Sequence, residues 1–350
     1  MSGEGEVALA VAERSLRPRT ADDVLAWLSA GRISIGEALA HFQRLETAPR
    51  GAVPAAASDP LAEARAQLAA VMGELDDLIG LAPVKELVRE LRAFVEIQQR
   101  RAQEGLCSQT VALHMIFRGN PGTGKTTVAR LLGRMFHALG VLPRGHLIEC
   151  ERADLVGEYI GHTAQRTREH IRKAMGGVLF IDEAYALARG GEKDFGKEAI
   201  DTLVKAMEDH KDQLIVILAG YRDEMEHFLS ANPGLRSRFP LHMDFPDYTP
   251  AELFHIAQRM CRERQYRLST TAAWRLERLL QQRVPAGPCN GNARYVRNLI
   301  ERAIRRQALR LVGRRNLSRD DLLTLEASDV LEAVLGGGFG AGRLNEVARA

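Results

Sequence analysis

Eight consecutive residues, Gly119-Asn120-Pro121-Gly122-Thr123-Gly124-Lys125-Thr126, have the types and spacing of a phosphate cradle. They satisfy G-x-x-x-x-G-K-[ST] at every defined position. Glycines let the backbone curl until successive N–H groups point at one anion. Lys125 adds a point charge for β- and γ-phosphates, and Thr126 a hydroxyl for Mg²⁺. Thr127 continues into a helix whose positive N-terminal end faces the same anion. The chemistry expected is nucleotide binding, with ATP and Mg²⁺ as the ligands.

A second cluster completes the first. Gly177-Val178-Leu179-Phe180-Ile181 is an apolar run too short for an isolated helix and suited to a strand buried on both faces. Asp182-Glu183 follow it directly, at the carboxyl end of the strand, where open α/β sheets place their ligands. Asp182 is placed to hold the metal ion and Glu183 to polarise an attacking water. The competing reading, an acidic start to a helix over Ala184–Leu187, accounts for the pair but not for its conjunction with the phosphate loop.

These residues need a scaffold, and the chain has the length and pattern for one. At 350 residues it is long enough for two domains or slightly more. Strand candidates at 113–118, 146–149, 177–181, 213–218 and 240–245 alternate with helical segments, which predicts a five-stranded parallel sheet wrapped on both faces. From Thr249-Pro250-Ala251-Glu252, a capping box with proline at the first helical position, the pattern reads as helical throughout. The boundaries expected are an N-terminal helical hairpin at 1–48, a linker and helix start at 49–71, an ATP-binding domain at 72–246, a helical lid at 247–335 and a Gly-rich tail at 336–350. Within the hairpin, Thr20-x-x-Asp23 and Ser34-x-x-Glu37 both fit capping boxes.

Composition excludes several alternatives. The net charge of +3 is too small to impose a nucleic-acid reading. Lysine occurs only at 85, 125, 173, 193, 197, 205 and 211, so arginine dominates the 48 basic residues. The four cysteines, at 107, 150, 261 and 289, form no C-x-x-C, so neither a disulfide framework nor a metal site is expected, in keeping with a reducing cytoplasm. The longest apolar runs fall far short of a membrane span.

The phosphate loop, the Asp-Glu strand and the trailing helical region together resemble the AAA+ ATPases, over residues 72–330. Long stretches, among them 114–130, 145–161, 176–209 and 232–248, are similar to the branch that holds the red-type Rubisco activases and a sporulation ATPase. The resemblance implies ATP hydrolysis by a homo-oligomeric ring, a hexamer, that remodels a protein partner. It also implies residue roles. Tyr159 and Ile160, in Asp154–Gly161, match the pore loop that grips a polypeptide. Arg238, with Arg236 as second match, falls in the arginine-finger segment. Arg294, in Gly291-Asn292-Ala293-Arg294, matches the lid arginine that touches phosphate, and Ile79-Gly80 the adenine-contacting segment. The chain carries Tyr221 where many members carry an asparagine sensor.

Three functions stay open on these residues: a remodeller acting in sporulation, one acting on Rubisco, and a nucleic-acid-associated ATPase using the arginines crowded over 294–319. Those arginines do not keep to one helical face and lack interleaved aromatics, so nucleic acid is the least favoured partner.

Overall fold

The computed structural model describes residues 60–106, 112–157, 159, 161–189, 195–283 and 291–335, together with scattered positions between 24 and 38. The expected box at Thr20–Asp23, Glu158, Ile160, Cys107, Cys289 and the tail from 336 lie outside the described residues. Residues 1–59 and 60–350 form two separate compact units. In the first, the Ser34–Glu37 capping box is present: the Ser34 backbone N–H donates to Glu37 Oε2 at 2.8 Å and the Glu37 N–H to Ser34 Oγ at 3.3 Å.

The second unit begins with two helices, α1 (Pro60–Asp76) and α2 (Ala82–Gln103). An alternating stretch follows: β1 (Met115–Gly119), α3 (Lys125–Ala138), β2 (Leu147–Cys150), a short α4 (Arg152–Leu155), α5 (His162–Ala174), β3 (Val178–Ile181), a 3₁₀ turn (Ala184–Ala188), α6 (Gly196–Asp209), β4 (Ile215–Gly220), α7 (Arg222–Ala231), α8 (Pro233–Arg236) and β5 (Leu241–Phe245). All five strands are parallel, in the order β2-β3-β4-β1-β5. The expected strands all exist, displaced by up to two residues at their ends. The largest shift is in β4, which runs through Ala219 to Gly220.

Alternation along each strand divides the core in two, because successive side chains leave opposite faces. Met115, Phe117, Val178, Phe180, Ile215, Ile217 and Ala219 join one core with α1, α2 and α3. Ile116, Leu179, Ile181, Val216 and Leu218 join the other with α5, α6 and α7. β3 and β4 are buried at every residue, which is why both read as unbroken apolar runs. Phe117 and Phe180 meet edge to face at 6.4 Å, and each such buried ring contributes roughly 1.5–3 kcal/mol.

The lid packs onto the first of these cores. It consists of α9 (Pro250–Glu263), β6 (Arg267–Leu268), α10 (Thr270–Arg283), α11 (Asn292–Leu311), α12 (Arg319–Leu323), β7 (Thr324–Leu325) and α13 (Ala327–Leu335). Thr249 and Glu252 form the expected capping box at the start of α9. The lid is not purely helical, however: β6 and β7 make a two-residue parallel pair that the pattern did not reveal. Arg310 grips Asp329 with two bonds of 2.9 and 2.8 Å, and Asp329 is only 2% exposed. The Arg310 side chain is itself partly exposed, so the pair is a partly solvated clamp between α11 and α13.

Candidate active site

The sheet delivers three strand ends to one place. Register pairs Arg118 with Gly220 and Ile181 with Leu218, so the phosphate loop after β1 emerges beside Tyr221 after β4, and Asp182-Glu183 after β3 emerge beside the last residues of β4, at the same edge of the sheet. Between them and the lid lies a cleft of about 300 Å³ lined by the phosphate loop, Thr127, Asp182, Glu183, Gly220, Tyr221, Arg294 and Arg297.

Within the loop, Gly124 (φ 98°) caps the start of α3. Lys125 Nζ donates to the carbonyls of Gly119 at 2.8 Å and Asn120 at 2.9 Å. Burial lowers the Lys125 pKa, while the negative charge of Asp182 works in the opposite direction. Asp182 Oδ1 accepts from the Glu183 N–H at 3.0 Å. Glu183 itself has φ 48° and ψ 42°, a left-handed conformation that costs a non-glycine residue about 1 kcal/mol or more. Its carboxylate is exposed on the cleft wall. Behind it, the Tyr185 ring is wedged between Tyr221, 6.0 Å away, and the Arg189 guanidinium, 4.6 Å from the ring centre. A side chain at Gly220 would place its Cβ 2.7 Å from Tyr185, which is why β4 ends in glycine.

The far side of the loop is tied to the hinge and lid. Asn120 Nδ2 donates to both carboxylate oxygens of Asp247, at 2.9 and 2.8 Å. The Pro121 carbonyl accepts from Asn292 Nδ2 at 3.3 Å. The Gly122 carbonyl accepts from the Ala293 N–H at 3.1 Å, and the Thr123 carbonyl from the Tyr248 hydroxyl at 3.2 Å. Asn292 is 4% exposed with φ 46°. It also donates to Asp247 at 2.8 Å and accepts from the Tyr248 N–H at 3.0 Å. Asp247, Tyr248 and Arg297 were not among the expected site residues. Nothing local marks Asp247, whose partner Asn292 lies 45 positions away.

Other expected residues fall outside the cleft. Ile79 and Gly80 do not line it; the Leu81 side chain approaches Gly124 instead. Thr123 is fully buried, its hydroxyl turned back onto the Asn120 carbonyl at 2.8 Å. Arg238 follows α8, where its Nε donates to Glu208 at 2.9 Å and one terminal nitrogen to the Gly234 carbonyl at 2.7 Å. Arg236 is exposed. Tyr159 is 66% exposed, and its ring meets His162 edge-on at 5.5 Å. Asp154, expected within the pore loop, caps α4 by accepting from the Glu151 N–H at 2.9 Å.

Two of the arginines crowded over 294–319 have carboxylate partners, and one carboxylate of the same helix is taken by an arginine from α9. Arg310 is locked to Asp329, Arg264 meets Glu301 at 3.1 Å and Arg314 meets Asp321 at 3.6 Å. Among the described residues, no group of three or more His, Cys, Asp or Glu side chains could hold a metal by itself. The donor set in the cleft, one threonine hydroxyl and one aspartate, instead fits Mg²⁺, which keeps waters and shares its coordination with substrate phosphates. No helix among the described residues is long and apolar enough to cross a membrane.

A phosphate loop at the end of one parallel strand, an Asp-Glu pair at the end of another and a helical lid closing over both define a lidded nucleotide hydrolase. The model for the ATPase family associated with various cellular activities (AAA) matches residues 115–247, and that for the AAA lid domain matches residues 249–335. The chain belongs to the AAA+ ATPases, enzymes that hydrolyse ATP. It is 56% identical over 259 residues to stage V sporulation protein K of Bacillus subtilis (strain 168), covering 73% of this chain and 80% of that one. It is 47% identical over 308 residues to protein CfxQ of Xanthobacter flavus, covering 84% and 96%. To the chloroplastic ribulose bisphosphate carboxylase/oxygenase activase of Cyanidioschyzon merolae (strain NIES-3377 / 10D) it is 46% identical over 273 residues, covering 77% and 93%. A crystal structure of the FIGL-1 AAA domain in complex with ADP shares the fold, with TM-score 0.52 at 19% identity over 78% of this chain and 88% of that one.

Proposed function

We propose that this ATPase works as a homo-oligomeric ring, a hexamer, that remodels a protein partner in bacterial sporulation. Residues 72–246 bind ATP, residues 247–335 form the lid, and the short N-terminal helical segment at 1–48 lies ahead of the linker. Lys125 and the loop N–H groups hold the phosphates. Thr126 and Asp182 hold Mg²⁺, which neutralises phosphate charge when bound. Glu183 accepts the proton of the attacking water. Arg294 meets the phosphates from the lid, and Arg297, one turn further along α11 on the same wall, meets them beside it.

One observation carries the ring. The cleft gathers Lys125, Thr126, Asp182, Glu183, Arg294 and Arg297 within a single chain, while Arg238 stands apart on Glu208. An arginine of that kind completes a neighbour's site and contributes about 10³–10⁵ in rate. Tyr159 and Ile160 then face the substrate polypeptide. The sporulation setting is supported by the 56% identity to the Bacillus protein, against 46–47% to the relatives named for Rubisco activation and CfxQ.

Subunit mixing tests the arrangement. Lys125→Ala lacks a working pocket and Arg238→Ala lacks a finger, so each alone should be nearly inactive. In mixed rings roughly a quarter of the head-to-tail interfaces pair an intact pocket with an intact finger. Activity should therefore return on mixing, to a comparable fraction of the unmodified enzyme. Mixed rings that stay inactive would remove Arg238 from the shared site. Stimulation of ATPase activity by purified Rubisco, with no sporulation defect in a deletion strain, would move the target to Rubisco.

A further inference from the structure

Loop residues that turn their N–H groups toward an anion must find partners for their carbonyls on the other side. Here those partners come from the hinge and lid. The Pro121 carbonyl takes the Asn292 amide at 3.3 Å, the Gly122 carbonyl the Ala293 N–H at 3.1 Å, and the Thr123 carbonyl the Tyr248 hydroxyl at 3.2 Å. Asn292 is the centre of this seam. Its carboxamide also reaches Asp247 at 2.8 Å and the Tyr248 N–H at 3.0 Å.

The backbone at this point sharpens the case. Gly291 (φ 61°) and Asn292 (φ 46°) are consecutive left-handed residues at the start of α11. Glycine occupies that region without strain, so a backbone requirement alone would be met better by glycine at 292. A buried asparagine there has to be held by its side chain, and among the described residues that side chain's polar contacts lead to the phosphate loop and the hinge. Two residues further on is Arg294, which faces the cleft.

We infer that Asn292 is a positioning residue that reads the conformation of the phosphate loop and fixes α11 so that Arg294 meets the phosphates. This rests on the phosphate-contacting role proposed for Arg294. Asn292 touches no substrate atom; it acts through the helix it anchors. Closure of the lid and the shape of the loop are thereby one equilibrium, not two.

Asn292→Gly is the informative variant, because it removes the carboxamide while relieving the backbone. In the full chain it should fold with a thermal midpoint at or near that of the parent. Binding of a fluorescent ATP analogue should stay within about three-fold, while kcat falls about ten-fold. Arg294→Ala should cost about ten-fold in the parent and less than about three-fold in the Asn292→Gly background, since residues acting as a unit do not add. Asp247→Ala, which leaves the backbone at 292 untouched, should lower kcat in the same sense. Parent-like kcat in folded Asn292→Gly, or equal costs of Arg294→Ala in both backgrounds, would overturn the inference. If Arg294→Ala costs nothing even in the parent, the proposed role of Arg294 fails instead, and the two failures are told apart.

Discussion

The wall of the cleft and the surroundings of Arg238 and of Tyr159 are built on opposite plans. Along the cleft, loop residues 120 to 123 are tied in succession to Asp247, Asn292, Ala293 and Tyr248. Away from the cleft, Tyr159 is 66% exposed, and Arg238 is held by Glu208, itself exposed, and by one carbonyl. The phosphate loop and Lys125, which serve the chain's own nucleotide, are pre-organised by internal bonds. Those proposed to serve a neighbour or a substrate have few internal partners, and an exposed ion pair of this kind is held by about 1 kcal/mol or less. Shape is fixed where the protein must be complete alone, and left exchangeable where a second molecule completes it.

The largest test of this division is at Glu183. Replacing it with glutamine leaves the cleft's shape but removes the acceptor for the water's proton, so phosphate release should fall about 10²–10⁴-fold with ATP binding retained. Ordinary turnover in Glu183→Gln would dissolve the distinction between binding wall and catalytic wall.

A second test probes what supports Arg238. His114 is 3% exposed; its Nδ1 accepts from the Val216 N–H at 3.1 Å, its other nitrogen donates to the Met207 carbonyl, and its ring lies 5.9 Å from Phe239. It thus braces the residues next to Glu208 and Arg238. Burial holds its pKa down at about 4 from 6.5, so the unfolded chain takes up the proton first. The stability contributed by the neutral ring is whole above pH 6.5 and is lost as pH falls toward 4, by about 3 kcal/mol in all. Urea melts across that range should show the loss, and His114→Gln should flatten it. A profile unchanged by His114→Gln would mean that this base is not what titrates.

Smaller effects are expected at the edges. Arg297→Ala should weaken kcat/KM for ATP about ten-fold, with Arg297→Lys recovering part of it; no change would leave Arg294 as the lid's single phosphate contact. Tyr159→Ala should leave unstimulated ATP hydrolysis within about two-fold, because the ring does not reach the cleft, while removing stimulation by partner and spore formation. Normal sporulation by Tyr159→Ala at matched protein levels would end the gripping role.

Much of this was readable in the sequence, and the physical reason differs by element. β1, β3 and β4 announced themselves because strands buried on both faces are continuous apolar runs. The loop and Asp182-Glu183 were readable because phosphate chemistry fixes their spacing. The β6–β7 pair was not, since two-residue strands carry no periodicity and Arg267 pairs with Thr324 far along the chain. The seam around Asn292 was hidden for a similar reason: Gly291-Asn292-Ala293-Arg294 points to its arginine, while the asparagine's partners lie far away in the phosphate loop and the hinge. The partners of Arg310 and Arg314 in the arginine-rich stretch were also hidden, since Asp329 and Asp321 arrive from later segments.

The close approach of the lid has a consequence for how the phosphate loop can vary. Position 122 is one of the unspecified places in the G-x-x-x-x-G-K-[ST] pattern, open to any residue as far as phosphate is concerned. In this chain Gly122 has φ 74°, and a Cβ there would fall 2.3 Å from the Gly291 carbonyl oxygen and 2.9 Å from the Arg294 nitrogen. Even alanine would act as a shim between loop and lid, prising the two apart and drawing Arg294 back from the phosphate loop. The second domain has turned a free letter of the motif into a gauge of its own closing distance.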